Sequence, residues 1–404
     1  MEIDRVEISE FIRNHYIEDA ATLRLKYTLP WQRFAIVQIE ARHKCAAKLP
    51  SYVANEGFLF PSTVVAEQAT NEIISKFHAS LFEVCDKVVD LTAGLCVDAM
   101  EISKNCHVDA IEINEEYFHI NRANIETLGA DVEIINADSA EWVKTMPQYS
   151  AAFIDPARRD NSSNRVYSLN DCSPNLLEMI PYLKQKVKFI IVKSSPILNI
   201  AEVNKNVEGV SDFWVVSLRN ECKELLFKID FEHKTEEQII HTINFTADGT
   251  QTLSMPLRKD EIERYGIPEA GDYLYEPNSS IMKAMLFDGI YAQYGDMLKI
   301  APNSHLFFSK NAFLNFPGRI FKIREIALFK KGKSLDTIKG TKANVATRNF
   351  PLSASELSRK LKIKDGGETY LFGTTLSTKQ TVLLVCEKAT FLTSDRWLVC
   401  LRAP

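Results

Sequence analysis

The stretch Asp90-Leu-Thr-Ala-Gly-Leu-Cys-Val-Asp-Ala-Met100 decides the fold of this chain. It follows two β-branched residues, Val88 and Val89, and runs into a helical pattern over 99–103. β-branched residues suit a pleated strand and glycine suits a tight turn, so the expected order is strand, turn, helix. Such a turn lets a ligand approach the backbone, and the helix start offers free N–H groups. Asp90 and Asp98 bracket the turn, with Thr92 and a single glycine, Gly94, between them. A diphosphate-binding turn carries more glycine and no bracketing acids. Acids suit a ligand that brings a cation, or hydroxyl and amino donors. The alternative is an ordinary βα turn with no ligand.

The next three apolar runs repeat the pattern. Val108-Asp-Ala-Ile-Glu-Ile113 carries an acid, Glu112, which lies 22 residues after Asp90. An acid at about 20 residues beyond the glycine turn is where a Rossmann-like unit binds ribose hydroxyls. The strand over 132–135 ends in Asn136-Ala-Asp-Ser139, where Asp138 and Ser139 would hold the amino group of a base. The strand over 151–154 ends in Asp155-Pro-Ala-Arg-Arg-Asp160. Four strands in succession thus finish in polar residues, at the carboxyl edge where open α/β sheets bind ligands. S-adenosylmethionine supplies a sulfonium, an amino group and a ribose diol. The expected cofactor contacts are therefore Asp90, Thr92, Gly94, Asp98, Glu112, Ile113, Asp138 and Ser139. A helix expected from Ser62 or Thr63 to His78 leads directly into the first strand and offers Gln68 as a further contact.

From Asp90 to Asp160 the chain resembles the catalytic core of class I S-adenosylmethionine-dependent methyltransferases. More narrowly, it resembles the bacterial methyltransferases with a THUMP-like domain. The stretches that carry this are Phe60-Pro61, Glu67-Gln-Ala-Thr70, Asp90-Leu-Thr-Ala-Gly94, Asp155-Pro-Ala-Arg-Arg159, Tyr275-Glu-Pro-Asn278 and Val345-Ala-Thr-Arg-Asn-Phe-Pro-Leu352. The resemblance implies an α/β, Rossmann-like core of seven strands. The hairpin over 214–230 would close it, and the ligand cleft would lie between the first and fourth strands. A helical region over 1–85 would precede the core, which spans 86–230. An α+β ferredoxin-like connecting domain over 231–316 and a THUMP-like RNA-binding domain over 317–404 would follow.

The substrate would meet the cofactor at Asp155-Pro156. In amino-methylating enzymes the similar motif is Asp or Asn, two prolines and an aromatic ring that stacks on the base. Here Ala157 and Arg158 stand at the last two positions, so that ring is missing. Asp-Pro-x-Arg is also similar to the uracil-C5 RNA methyltransferases, which use a cysteine nucleophile after the fifth strand. The corresponding stretch here is Lys193-Ser-Ser-Pro196, without cysteine. Direct in-line transfer remains, with Asp155 orienting the nucleophile or taking its proton. Arg158 and Arg159 would clamp a phosphate or carboxylate, or else pair with Asp155 and Asp160. The polar segment 161–170 is expected to be a lid over this end.

Hydrophobic residues at 46% and charged residues at 25% of 404 are those of a globular protein of two or three domains. The 8 cysteines form no C-x-x-C pair, which argues against a zinc site or a disulfide framework and for a cytoplasmic setting. No metal and no membrane partner are expected. Net charge is −5, yet 13 basic residues face 3 acids between Arg319 and Lys364. That local excess would attract an RNA backbone, transfer or ribosomal, with Lys330, Lys331, Lys333 and Arg348 as first contacts. A merely solvated charged face is the alternative. A non-catalytic RNA-binding protein, or methyl transfer to a protein or small molecule, stands beside the RNA reading. A nicotinamide dehydrogenase does not, because Gly-x-Gly-x-x-Gly is absent.

Overall fold

A computed structural model describes residues 5–158, 169, 172–233, 237–257, 264–329 and 340–389. The chain forms two units: Met1–Phe213 with Glu224–Gln238, and Trp214–Lys223 with Ile239–Pro404.

The first unit opens with helices α1 (Arg5–His15), α2 (Ala20–Lys26) and α3 (Pro30–Cys45). Ile8, Phe11 and Ile12 of α1 meet Ala35, Ile36 and Ile39 of α3 at the spacing of one helix face. Val6, which its spacing in sequence would place on that face, is exposed. Pro30 and Pro50 stand at the first positions of α3 and α4 (Pro50–Ala54), where a missing N–H costs nothing. The backbone from Val53 to Phe60 is then held by side chains. Buried Arg42 donates to the carbonyls of Val53, Asn55, Glu56 and Phe58. Asn124 pairs with both backbone groups of Leu59, and Gln38 with both of Phe60.

One helix was expected from Ser62 or Thr63 to His78; there are two. Ser62 caps α5 (Thr63–Gln68) and Asn71 caps α6 (Glu72–Ser80). The Asn71 side chain accepts the Ile73 amide, and that local bond competes with continuing the helix. Thr70, in the break, is buried.

The core then alternates strand and helix: β1 (Lys87–Asp90), α7 (Val97–Ile102), β2 (His107–Glu112), α8 (Glu115–Leu128), β3 (Val132–Asn136), α9 (Ser139–Trp142) and β4 (Ala151–Ile154). A two-stranded ribbon, β5 (Ala157–Arg158) and β6 (Cys172–Ser173), precedes α10 (Leu176–Leu183), β7 (Phe189–Ser194), α11 (Ile200–Asn206), β8 (Val210–Leu218) and β9 (Glu221–Asp230). The strand order runs β3-β2-β1-β4-β7-β9-β8 within a sheet of nine strands, where seven were expected. β3 to β7 run parallel and β9 antiparallel to β7. Arg219 and Asn220, both at positive φ, make the two-residue turn between β8 and β9. Every residue of β4 is buried, as suits a strand covered on both faces. Because β1 is flanked by β2 and β4, the chain leaves it toward opposite edges on either side. The crevice at a strand's carboxyl end opens at such a point.

In the second unit β10 (Ile239–Thr246) and β11 (Gly249–Pro256) form a hairpin. β12 (Tyr273–Pro277), α12 (Ser279–Ala284), α13 (Phe287–Gln293), β13 (Leu298–Lys299) and β14 (Phe307–Ser309) follow. The sequence pattern over 279–294 predicts one helix, but it is broken at Met285, which is left-handed at φ 56° and ends α12. β15 (Gly318–Leu328), β16 (Asn344–Arg348), α14 (Ala354–Leu361), β17 (Thr369–Thr375) and β18 (Thr381–Lys388) complete a sheet of order β13-β14-β12-β15-β18-β17-β16. α14 carries a Ser353–Glu356 capping box and connects the parallel pair β16 and β17. Leu371 and Leu383 pack with Leu357 and Leu361 of α14, while Phe372, Val382 and Leu384 face the other core, in the alternation of a pleated sheet. Gly318 is required where β12 meets β15, because a Cβ there would lie 2.2 Å from the Glu276 carbonyl oxygen. The sequence pattern also predicts a helix over 334–338; that stretch, the lid expected over 161–170 (except Leu169) and the tail over 391–404 lie outside the described residues.

Candidate functional site

The loop after β1 bridges the two strands beside it. The Leu91 amide donates to Phe153 of β4 and the Ala93 amide to Ile111 of β2, each at 3.0 Å. Gly94 and Cys96 then take left-handed φ values of 54° and 58°. For a buried cysteine this conformation is strained, and the surrounding contacts must hold it. The Gly94 amide donates to Glu112 Oε2 at 3.0 Å, the Asn114 amide to Oε1 at 2.8 Å, and Asn121 Nδ2 to the Gly94 carbonyl at 2.7 Å. Glu112 is buried, and burial lifts its carboxyl above the usual range against the pull of those amides. The other amide atom of Asn121, Oδ1, is buried without a hydrogen-bond partner among the described residues.

Asp90 is 1% exposed and accepts the Thr92 amide at 2.9 Å. Burial pushes its pKa up to about 7; the Thr92 amide opposes this, and the charges of Asp98, Asp155 and Glu112 add to it. Ile113, beside Glu112, is exposed. Asp138 caps α9 through the Ala140 amide at 2.9 Å, and Ser139 is buried. Gln68 is the exposed last residue of α5.

Asp98 has a different setting from the one its place in the turn suggested. Its Oδ2 accepts from Thr70 Oγ1 at 2.5 Å and its Oδ1 lies 2.8 Å from His78 Nδ1. His78 Nε2 lies 2.5 Å from Glu224 Oε1. Burial alone would strip the charge from His78, but the two carboxylates raise its pKa to about 10. Burial opposes the charge of Asp98 as well, and His78 overcomes it, holding the carboxyl below its usual range.

Asp155 is tied to both halves of the site. Its amide donates to Thr92 Oγ1 at 2.7 Å, and its Oδ2 lies 2.5 Å from Lys193 Nζ. Lys193 also reaches Thr70 Oγ1 at 3.0 Å. Burial opposes the Lys193 charge, yet Asp155, Asp98 and Glu224 outweigh it and hold the ammonium above its ordinary range. A continuous chain of contacts therefore runs Glu224, His78, Asp98, Thr70, Lys193, Asp155. The sequence reading gave no role to Thr70, His78, Lys193 or Glu224. Lys193 had a visible signal, since the fifth apolar strand, like the first four, ends in a polar group. Pro156 is partly exposed; the side chain of Arg158 and all of Arg159 lie outside the described residues.

Among the basic residues of the second unit, Lys330, Lys331 and Lys333 also lie outside them. Arg348 Nη2 donates to Glu276 Oε1 at 2.9 Å, and Arg319 Nε to Oε2 at 2.6 Å. Arg324 pairs with Glu387. Glu276 and Glu387 stand outside the 319–364 window, so the charge count in sequence overstated the free positive charge. A cleft of about 600 Å³ in this unit is lined by Thr347, Asn349, Phe350, Pro351, Leu352, Ser353, Thr375 and Thr381. No titratable side chain among the described residues lines it, which separates it from the chemistry at Asp155. No helix among the described residues is long and apolar enough to cross a membrane.

Family models match the second unit, a ferredoxin-like domain at residues 273–317 and a THUMP domain-like region at 318–388. Both contribute strands to one sheet. Among curated proteins no match is found. The crystal structure of a "putative methyltransferase" from Porphyromonas gingivalis W83 is 30% identical, covering 96% of this chain and 99% of that one with a TM-score of 0.87. A "putative" class I S-adenosylmethionine-dependent methyltransferase from Listeria monocytogenes is 9% identical over 59% of this chain and 92% of that one, at a TM-score of 0.37. With the first match spanning nearly its whole length, the chain belongs to the class I S-adenosylmethionine-dependent methyltransferases that carry a THUMP-like domain.

Proposed function

We propose that this methyltransferase modifies structured RNA by direct in-line transfer. The observation that carries the chemistry is the 2.7 Å bond from the Asp155 amide to Thr92 Oγ1. It fixes the substrate end of β4 to the cofactor turn, and alignment is the main requirement of such a transfer. The cofactor supplies an electrophilic methyl on a sulfonium. The residues fit it: Glu112 would take the ribose hydroxyls, Ile113 and Asp138 with Ser139 the adenine, and Asp90 the cationic end. Two buried carboxylates lifted above their ordinary range are a favourable setting for a ligand that brings positive charge. Asp155 would orient the nucleophile, and Arg158 and Arg159 would hold a nearby phosphate.

RNA is favoured by the THUMP domain-like match and by basic residues over 319–364 that form no ion pair among the described residues, Lys342, Lys362 and Lys364 among them. The test is transfer of tritiated methyl from S-adenosylmethionine to RNA from a strain lacking the gene, followed by mass spectrometry of the nucleosides. Labelled protein or metabolite in the same extract, with unlabelled RNA, would give the substrate to another class.

A further inference from the structure

We infer that Lys193 is a positioning residue for methyl transfer, holding Asp155 as a hydrogen-bond acceptor for the nucleophile. This rests on the transfer reading above. Lys193 Nζ lies 2.5 Å from Asp155 Oδ2 and 3.0 Å from Thr70 Oγ1, and its side chain is 13% exposed. Asp155 keeps 38% exposure, so substrate can reach the carboxylate while one of its oxygens is held. The groups that act on Lys193 come from four elements. They are Asp155 after β4, Asp98 on α7, Glu224 on β9, and Thr70 between α5 and α6. His78 neutralises part of that acidic surround by lying between Asp98 and Glu224.

The consequence is chemical. An ammonium surrounded by three carboxylates has no lone pair to offer, so Lys193 is not a base. Burial holds the Asp155 carboxyl above its ordinary range, outweighing Lys193, which favours the ionised form. Asp155 is then the acceptor that orients the N–H or O–H of the nucleophile. The bond from nucleophile to methyl forms as the C–S bond breaks, and the electron pair stays on sulfur to give the neutral thioether. The nucleophile's proton, hydrogen-bonded to Asp155 during the step, then leaves to water.

The experiment uses the full-length protein labelled with ¹³C at the aspartate carboxyls. Asp155 is assigned from the signal lost in Asp155→Asn. Its titration midpoint should be higher in Lys193→Met than in wild type by about one pH unit or more, since a cation favours the ionised form. Turnover with RNA from the deletion strain should fall about 100-fold, with S-adenosylmethionine affinity within threefold and a partial return in Lys193→Arg. The acid limb of the pH–rate profile should move with the midpoint. An unmoved midpoint in folded Lys193→Met, or unchanged turnover, overturns the role. If wild type labels no RNA, the RNA reading fails and the titration alone decides Lys193. If Lys193→Met does not fold, Lys193→Arg and Thr70→Val are titrated instead. No change in either overturns the proposal.

Discussion

The amide of Gly94 donates to Glu112 Oε2 at 3.0 Å, so the loop after the first core strand is built on the last residue of the second. Glu112 would thus serve twice, shaping the turn and accepting the ribose. Glu112→Ala is expected to weaken S-adenosylmethionine binding by about 1–3 kcal/mol, roughly 5- to 150-fold in Kd. Titration calorimetry checks it, and equal affinity would remove Glu112 from the cofactor site.

Asp90 predicts a pH dependence. Its pKa of about 7 in the folded protein lies above the value of about 3.9 for an unfolded chain. A bound cation favours the ionised carboxylate, so cofactor affinity should rise with pH through about 7 and level off above it. Asp90→Asn should flatten that rise. Because the folded pKa is the higher, folding disfavours the ionised form. This penalty is absent below about pH 4 and complete above about pH 7. The cofactor-free Asp90→Asn protein should therefore melt higher than wild type at pH 8, and the gain should shrink at pH 5.

His78, between Asp98 and Glu224, predicts a stability effect. Removing the cation from a buried set of charges costs about 3–5 kcal/mol, and His78→Gln should lose that much at pH 7. The folded pKa of about 10 exceeds the unfolded value. The stabilisation is therefore complete below about pH 6.5 and lost as pH rises through about 10. Guanidinium unfolding at pH 7 and pH 10.5 should show the gap between wild type and mutant narrowing. A constant gap would mean that the imidazole carries no charge.

The basic residues of the second unit divide by their partners. Arg348 is held by Glu276, so Arg348→Ala should lower the melting temperature and leave the salt dependence of RNA binding unchanged. Reversal of Lys330, Lys331 and Lys333 to glutamate should instead weaken RNA binding. It should reduce the slope of log affinity against log salt by about 0.7–0.9 for each phosphate that is no longer neutralised. Filter binding at two salt concentrations separates the two outcomes.

Gly318→Ala places a Cβ 2.2 Å from the Glu276 carbonyl oxygen, at the pairing of β12 with β15. Backbone must move to relieve it, and a loss of about 3 kcal/mol or more is expected by chemical denaturation. A loss below about 1 kcal/mol would show that this pairing tolerates a shift.

The sequence by itself determined the α/β core and the carboxyl edge of its sheet. Apolar runs at helix-sized spacing, each closed by a polar residue, are local signals; Asp90, Glu112 and Asp155 stand at strand ends because a strand's length sets where its last side chain falls. Helix α14 was legible in the same way, with Ser353 as its N-cap. What each carboxylate does was decided only by the tertiary structure. Asp98 looked like a partner of Asp90, but it is bound by His78 and Thr70, and His78 reaches Glu224 across 146 residues of chain. The break that places Thr70 came from a single competing bond at Asn71. Arg348 stood in sequence as an RNA contact or a member of an ion pair, and its partner, Glu276, lies 72 residues earlier. Ion pairs of this range depend on which strands become neighbours, and no spacing along the chain records that.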